Sequence, residues 1–283
     1  MSDNTKQQVR EFYDQIGWSQ VGEGLYQNAR YEDLRPVTAE YVHKCHLRVK
    51  RHIAASGDLF LDAGSGPVQY PEYVTYSENY KFHVCADLSM TALREARQRL
   101  GSRGLYVVMD VANLPFKSDA FDAVVSLHTI HHLPASEHKR AYAGLHRVLK
   151  PNRSAVVVNG WDYPTLMKIT GFFVRPLRVI KSLLTRGRLP NFVKKKKGRS
   201  IDKHTGTYIA KIDADWLRQE LADVTPIQIF VWRSLSTRFS RILVHPWLGG
   251  KYLLRLVYWL EEKFPRFFGE NGQYPLIVFR KES

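Results

Sequence analysis

Short apolar runs alternate with amphipathic stretches through the middle of the chain. Leu59–Ala63, Phe82–Ala86, Leu105–Met109, Phe121–Leu127 and Ala155–Asn159 each read as a strand. Ser89–Leu100 and Ala135–Leu149 read as helices between them. Continuous apolar strands separated by helices predict a parallel sheet covered on both faces. Ahead of this region, residues 5–56 have apolar and aromatic positions three or four apart, with Pro36 as a break, which predicts a helical lid over 1–56. Beyond it the alternation stops. Residues 161–205 are an insertion, Ala214–Leu221 a short helix, Ile227–Trp232 a sixth strand, 235–268 a second helical insertion, and Tyr274–Arg280 a seventh strand. No regular crossover separates the sixth and seventh strands, so the last is expected to run antiparallel. The expected fold is a seven-stranded, mostly parallel α/β sheet. Residues 57–160 form its ligand-binding half and 206–283 its C-terminal part.

The candidate chemistry lies at the strand ends. The first strand runs into Asp62-Ala63-Gly64-Ser65-Gly66-Pro67, a turn whose glycines permit close backbone approach to a ligand. A dinucleotide fingerprint needs a third glycine at position 69, which is Gln69, and free N–H groups to hold pyrophosphate. Pro67 and Pro71 remove two such donors, so the loop suits a ligand without phosphate, such as S-adenosylmethionine. The second strand ends in Asp87, placed to accept both hydroxyls of a ribose or, alternatively, to serve the start of the helix after Ser89. The third ends in Asp110-Val111, placed to accept from an adenine amino group.

With LDAGSGP, CADLS, MDVANLPFKSDAFDAVVSLHTIHHL and LHRVLKPN in this order, residues 55–160 resemble class I S-adenosylmethionine-dependent methyltransferases of the ubiquinone/menaquinone-methyltransferase-like kind. The resemblance implies a Rossmann-like fold. It implies that Asp62, Gly64 and Gly66 line the methionine part of the cofactor, with Leu127 alongside. Asp87 would then hold the ribose with Leu88 against the adenine, and Asp110 and Val111 would read the adenine edge. The family usually has a third glycine at position 68, where this chain has Val68. After the fourth strand comes His128-Thr129-Ile130-His131-His132-Leu133. Methyl transfer is an in-line displacement governed by alignment and water exclusion, and a hydroxyl or ammonium acceptor must also lose a proton. A neutral imidazole suits that role near pH 7. His132 is the first candidate base and His128 the second, the alternative being that these histidines only pack or cap. His132 stands where the similar phosphoethanolamine methyltransferases carry a catalytic histidine paired with an N-terminal tyrosine. Tyr13, Tyr26 and Tyr31 are the available partners, with Tyr31 preferred.

Charge is concentrated in one segment. Hydrophobic residues make up 44% of the 283 and charged residues 24%, as in ordinary globular proteins. The net charge is +15, however, and residues 161–200 hold eleven Lys or Arg against Asp162 alone. Leu166, Met167, Ile169, Phe172, Phe173, Leu177, Ile180, Leu183 and Leu184 recur among these charges at helical intervals, and Lys194–Lys197 follow. A basic amphipathic stretch of this kind suits an anionic membrane surface or a lid over an acceptor. The second insertion is rich in large apolar residues, and the two together are expected to roof an apolar acceptor pocket. Cys45 and Cys85 form neither a disulfide framework nor a metal-ligand spacing, which suits a reducing, cytoplasmic setting, with peripheral contact at the inner membrane face. The N-terminus lacks a signal-peptide core, no run of about 18 apolar residues spans a membrane, and no metal is expected. The acceptor is expected to be a small molecule or lipid-linked, methylated at oxygen. A nucleic-acid methyltransferase fits the charge, but the fourth strand lacks an Asn/Asp-Pro-Pro-aromatic run and no RNA-binding module is recognisable. A non-catalytic cofactor-binding or membrane-adaptor protein is the reading from another class.

Overall fold

The computed structural model describes residues 2–18, 20–22, 25–26, 32–162, 164–166, 168, 208–210 and 212–283. Nearly all of the basic insertion and Tyr31 lie outside these residues.

Seven strands form one sheet: β1 (Gly57–Ala63), β2 (Tyr80–Asp87), β3 (Gly104–Val108), β4 (Ala123–Leu127), β5 (Ser154–Val158), β6 (Ile227–Arg233) and β7 (Tyr274–Arg280). Their spatial order is β3-β2-β1-β4-β5-β7-β6, and β7 runs antiparallel to both of its neighbours. The sequence reading of a mostly parallel sheet with an antiparallel last strand therefore holds. The apolar runs are continuous because both faces are covered. Leu61, Val124 and Val157 belong to one core layer with Tyr142 and Leu145 of α5 (Ala135–Val148) and Leu217 of α6 (Ala214–Glu220). Their strand neighbours Phe60, Val125 and Val156 belong to the other layer, with Leu93 and Ala96 of α4 (Met90–Leu100). The two-residue strand period sends successive side chains to opposite layers.

The N-terminal region is less uniformly helical than its periodicity suggests. After α1 (Ser2–Phe12) the helix widens into a π-helical turn over Tyr13–Gly17, and Gln20–Gly22 pairs with Leu25–Tyr26 as a small antiparallel hairpin. Pro36 opens α2 (Pro36–Leu47) at its first turn, where its missing N–H costs nothing. The helix after the glycine turn, α3 (Pro71–Thr75), is only five residues long and also begins on proline.

The second insertion folds as α7 (Thr237–Leu243), α8 (Gly250–Lys263) and α9 (Pro265–Asn271). Its buried anchor is Glu261, which accepts from Tyr41 Oη at 2.7 Å, from the Ser234 N–H at 2.9 Å and from Arg48 Nη1 at 2.9 Å. Arg48 also donates to the Trp232 carbonyl at 2.9 Å, so one ionic cluster ties α2, α8 and the end of β6 together.

Parallel strands end at a common edge, and an antiparallel strand starts there. The residues following β1, β2, β4 and β5, the last residue of β6 and the first of β7 therefore converge on one rim.

Candidate active site

A cavity of about 630 Å³ opens along this rim. Its floor begins with the turn after β1. Gly64 has φ +81° and Gly66 φ +53°, the left-handed region that glycine enters without penalty. A Cβ on Gly64 would lie 2.2 Å from the Thr129 side chain, and one on Gly66 2.9 Å from the Trp18 ring. Both glycines thus keep the turn low and the cavity open above it. Val68 shares the left-handed conformation, with φ +51°, and is fully buried. Valine here holds a backbone shape that strains a β-branched residue, and packing keeps it there.

Asp87 ends β2 inside the cavity. Its Oδ2 accepts from the Gly66 N–H at 2.9 Å and its Oδ1 from the Ser89 N–H at 2.8 Å. Withdrawal from water pushes this carboxyl up to about 6, against the two N–H donors that pull it down, while Asp62 and Asp14 add to the rise. Ser89 caps α4 by accepting from the Ala92 N–H at 3.1 Å, so the cap falls to Ser89 and Asp87 faces the cavity. Asp110 also lines the cavity. Burial raises its pKa, but Lys6 at 2.6 Å, the Ala112 N–H and the Asn113 amide together outweigh this and leave it below the usual carboxylate range. Leu88, Val111 and Leu127 line the same space. Asp62 does not. It is buried, 3.6 Å from His83 Nε2, and acts on the cavity through its field, which raises Asp87 and Tyr73. The sequence expectation places Asp62 against the methionine part of the cofactor; in the structure it is buried and is not among the residues that line the cavity.

The other wall comes from α1 and from the histidines after β4. His132 Nδ1 is 2.8 Å from the Tyr208 carbonyl, which only accepts, so Nδ1 carries the proton. Nε2 is then the acceptor for the Tyr13 hydroxyl at 2.9 Å. Burial lowers His132 to about 4, partly offset by that carbonyl, so the imidazole is neutral at pH 7. His128 has φ +57° and packs edge-on to Trp232 and Tyr274, with centroids 4.8 and 5.4 Å away. Burial, with His46 and His132 adding to it, lowers His128 to about 3. His128 therefore belongs to an aromatic wall, while His132 has the donor–acceptor chain of a base. The tyrosine that meets His132 is Tyr13, and the preferred candidate, Tyr31, lies outside the described residues.

Sequence reasoning did not single out several cavity residues. Lys6 joins α1 to Asp110 and, at 2.5 Å, to Glu137. Arg233 pairs with Glu32, and its guanidinium lies over the Tyr274 ring, 4.7 Å from the centroid. Their signal is three-dimensional, because they come from α1, the segment before α2, and the two strands that close the sheet. The second insertion contributes no cavity-lining residue. The expectation that it helps roof the pocket is corrected: among the described residues the cover is α1 and its turn, with Ile209 and Ala210.

Residues 61–157 match the family model described as a methyltransferase domain. Over these residues the chain carries a methyltransferase domain. A bovine (Bos taurus) protein named probable tRNA methyltransferase 9B is 30% identical over 131 residues, covering 45% of this chain and 27% of its own length. The chain thus spans about a quarter of the curated relatives it matches. Among solved structures, phosphoethanolamine N-methyltransferase 2 of Haemonchus contortus, in complex with S-adenosyl-L-methionine, aligns with TM-score 0.54 and 16% identity over 97% of this chain and 60% of its own. The [4+2]-cyclase SpnF aligns with TM-score 0.52 and 18% identity over 98% and 97%. A cyclase on this fold shows why the activity must be argued from the site. The site presents a glycine turn in which Pro67 and Pro71 remove two N–H donors, one carboxylate in the cavity at the end of β2, and a second two residues past β3.

Proposed function

We propose that the whole chain transfers a methyl group from S-adenosylmethionine to a hydroxyl of a small or lipid-like acceptor. In this reading Asp87 holds the ribose, Leu88 and Val111 sandwich the adenine, Asp110 orients its amino edge, and Gly64, Gly66 and Leu127 flank the methionine part. Bound cofactor supplies an electrophilic methyl carbon on a sulfonium that leaves as a neutral thioether. The chain's residues align the acceptor, exclude water through α1, and remove one proton. The acceptor hydroxyl donates to Tyr13 Oη while the Tyr13 proton moves to His132 Nε2. The resulting imidazolium keeps its Nδ1–H on the Tyr208 carbonyl until the proton leaves to solvent.

The observation that carries this reading is the Tyr13–His132 pair, held at 2.9 Å with a defined tautomer inside the cavity that also contains Asp87 and Asp110. The aromatic wall of Tyr70, Tyr73, His128 and Tyr274 supports an apolar acceptor, and the basic segment 161–200 supports one presented at an anionic surface.

The test is turnover of methyl-labelled cofactor against hydroxylated aromatics, hydroxylated lipids and tRNA transcripts. His132→Ala should lower the rate by about a hundredfold with cofactor affinity intact, and Tyr13→Phe by about tenfold. Turnover that survives both changes at saturating acceptor removes the relay. Methylation of tRNA alone would favour the second reading, a nucleic-acid methyltransferase. That reading draws on the tRNA methyltransferase 9B relatives and on the net charge of +15.

A further inference from the structure

In the second insertion, α8 and the segments on either side of it turn an apolar face to solvent. Along α8 the inward positions are Gly250, Leu254 and Glu261, which are buried. The opposite stripe, at spacings of four and three, is Tyr252, Leu256 and Trp259, which are 73, 53 and 53% exposed. Trp247 before α8 is 78% exposed, and Phe264 and Phe267 after it are 56 and 53% exposed. Single exposed apolar residues need no explanation, but these six, with Leu248 and Leu253 beside them, on one helical insertion do. Burial elsewhere does not account for them, because none lines the cavity.

Charge decides what covers this face. Residues 237–268 hold six Lys or Arg against Glu261 and Glu262, and Arg48 binds both glutamates. Lys251 and Arg255 share Glu40, while Lys263 and Arg266 lie at the far end of the stripe. A second copy of the chain meeting this face through a two-fold axis would set like charges against each other. The 161–200 segment carries the same sign, so complementarity does not select it either. An anionic bilayer matches both features. Trp, Tyr and Phe side chains settle at the headgroup boundary, Leu256 enters the acyl region, and the flanking cations meet acidic headgroups. Among the described residues no helix is long and apolar enough to cross a membrane, so the contact is in the plane of the surface.

We infer that α8, with Trp247 before it and Phe264 and Phe267 after it, docks this protein on an anionic lipid bilayer. The inference concerns a surface outside the catalytic cavity and does not depend on the identity of the acceptor. The test is co-sedimentation of the full chain with vesicles of phosphatidylcholine alone and of phosphatidylcholine with phosphatidylserine, at low and high salt. Binding is expected only with acidic vesicles and should weaken with salt. The double variant Leu256→Glu, Trp259→Glu should lower it by about tenfold or more. Both positions are exposed, so unfolding temperature and S-adenosylhomocysteine binding should stay unchanged in this variant. Tryptophan fluorescence should shift blue on binding and be quenched by brominated lipid, losing the Trp259 part in a Trp259→Phe variant. The inference is overturned by absence of binding to acidic vesicles. It is also overturned if binding survives the double glutamate change and disappears only when Lys194–Lys197 are replaced by serine. Light scattering that shows a dimer broken by the same double variant would assign the face to a second copy instead.

Discussion

At the residue scale, Asp87 shows how one carboxylate is shaped for a neutral, hydroxylated ligand. Its two oxygens each hold one backbone N–H, which fixes the carboxylate plane and leaves lone pairs facing the cavity. Each ribose hydroxyl bound there is a charge-assisted hydrogen bond worth about 1.5–3 kcal/mol, so Asp87→Ala should weaken S-adenosylmethionine binding by about tenfold or more in calorimetry. The raised pKa adds a pH signature. Ribose hydroxyls donate to the ionised form, so binding lowers the Asp87 pKa, and cofactor affinity should fall as pH drops through about 6 and stay level above it. Asp87→Asn should bind weakly and lose that dependence. A dependence that persists in the asparagine variant would place the titrating group elsewhere. His132 has the opposite sign and a different window. Its pKa near 4 leaves it neutral, and ready to accept a proton, through the range where Asp87 titrates. Val68 at the third-glycine position shows the limit of reading one residue by its family pattern. The left-handed backbone persists without glycine, because burial of the valine side chain opposes the strain.

At the element scale, α1 and α8 have similar amphipathic patterns and different fates. Lys6 explains the first. Its ammonium is held by Asp110 and Glu137, so α1 lies over the rim and delivers Tyr13 to His132. Arg48 and Glu261 explain the second, since they pin the inner face of α8 against α2 and the end of β6. Removing Arg48 leaves Glu261 buried without its cation. Arg48→Met should destabilise the protein by about 3–5 kcal/mol in denaturant unfolding. The compensating change Glu261→Gln, made in the same chain, should restore part of that loss. Equal stability of the single variant and the parent would show that the cluster contributes little.

At the scale of the whole molecule, the cofactor should bind the folded chain and not the unfolded one. S-adenosylhomocysteine at about a hundred times its Kd should add about 2.7 kcal/mol. With about 2–4 °C per kcal/mol for a domain near this size, a rise of about 5–10 °C in Tm is expected in a thermal shift measurement. The same shift should shrink sharply in Asp87→Ala. No shift at any concentration would remove S-adenosylhomocysteine as a ligand of the folded state.

The sheet and one side of its rim are legible in the amino-acid sequence. The strands along the chain, the antiparallel last strand, the glycine turn and the positions of Asp87, Asp110 and the histidine run follow from local pattern, whereas the spatial order of the strands came from the structure. Strand burial, turn conformation and strand-end placement are set within a few residues of each position, so the alternation of apolar runs and helices was enough to show them. The other side was assembled by long-range contacts. Lys6, Tyr13 and Trp18 from the N-terminus, and Arg233 and Tyr274 from the closing strands, reach the cavity through contacts spanning many tens to more than two hundred residues, and no local spacing records such a contact. The outward turn of Tyr252, Leu256 and Trp259 has the same origin. A helix pattern shows that one stripe is apolar, but which stripe is buried depended on where Arg48 held Glu261.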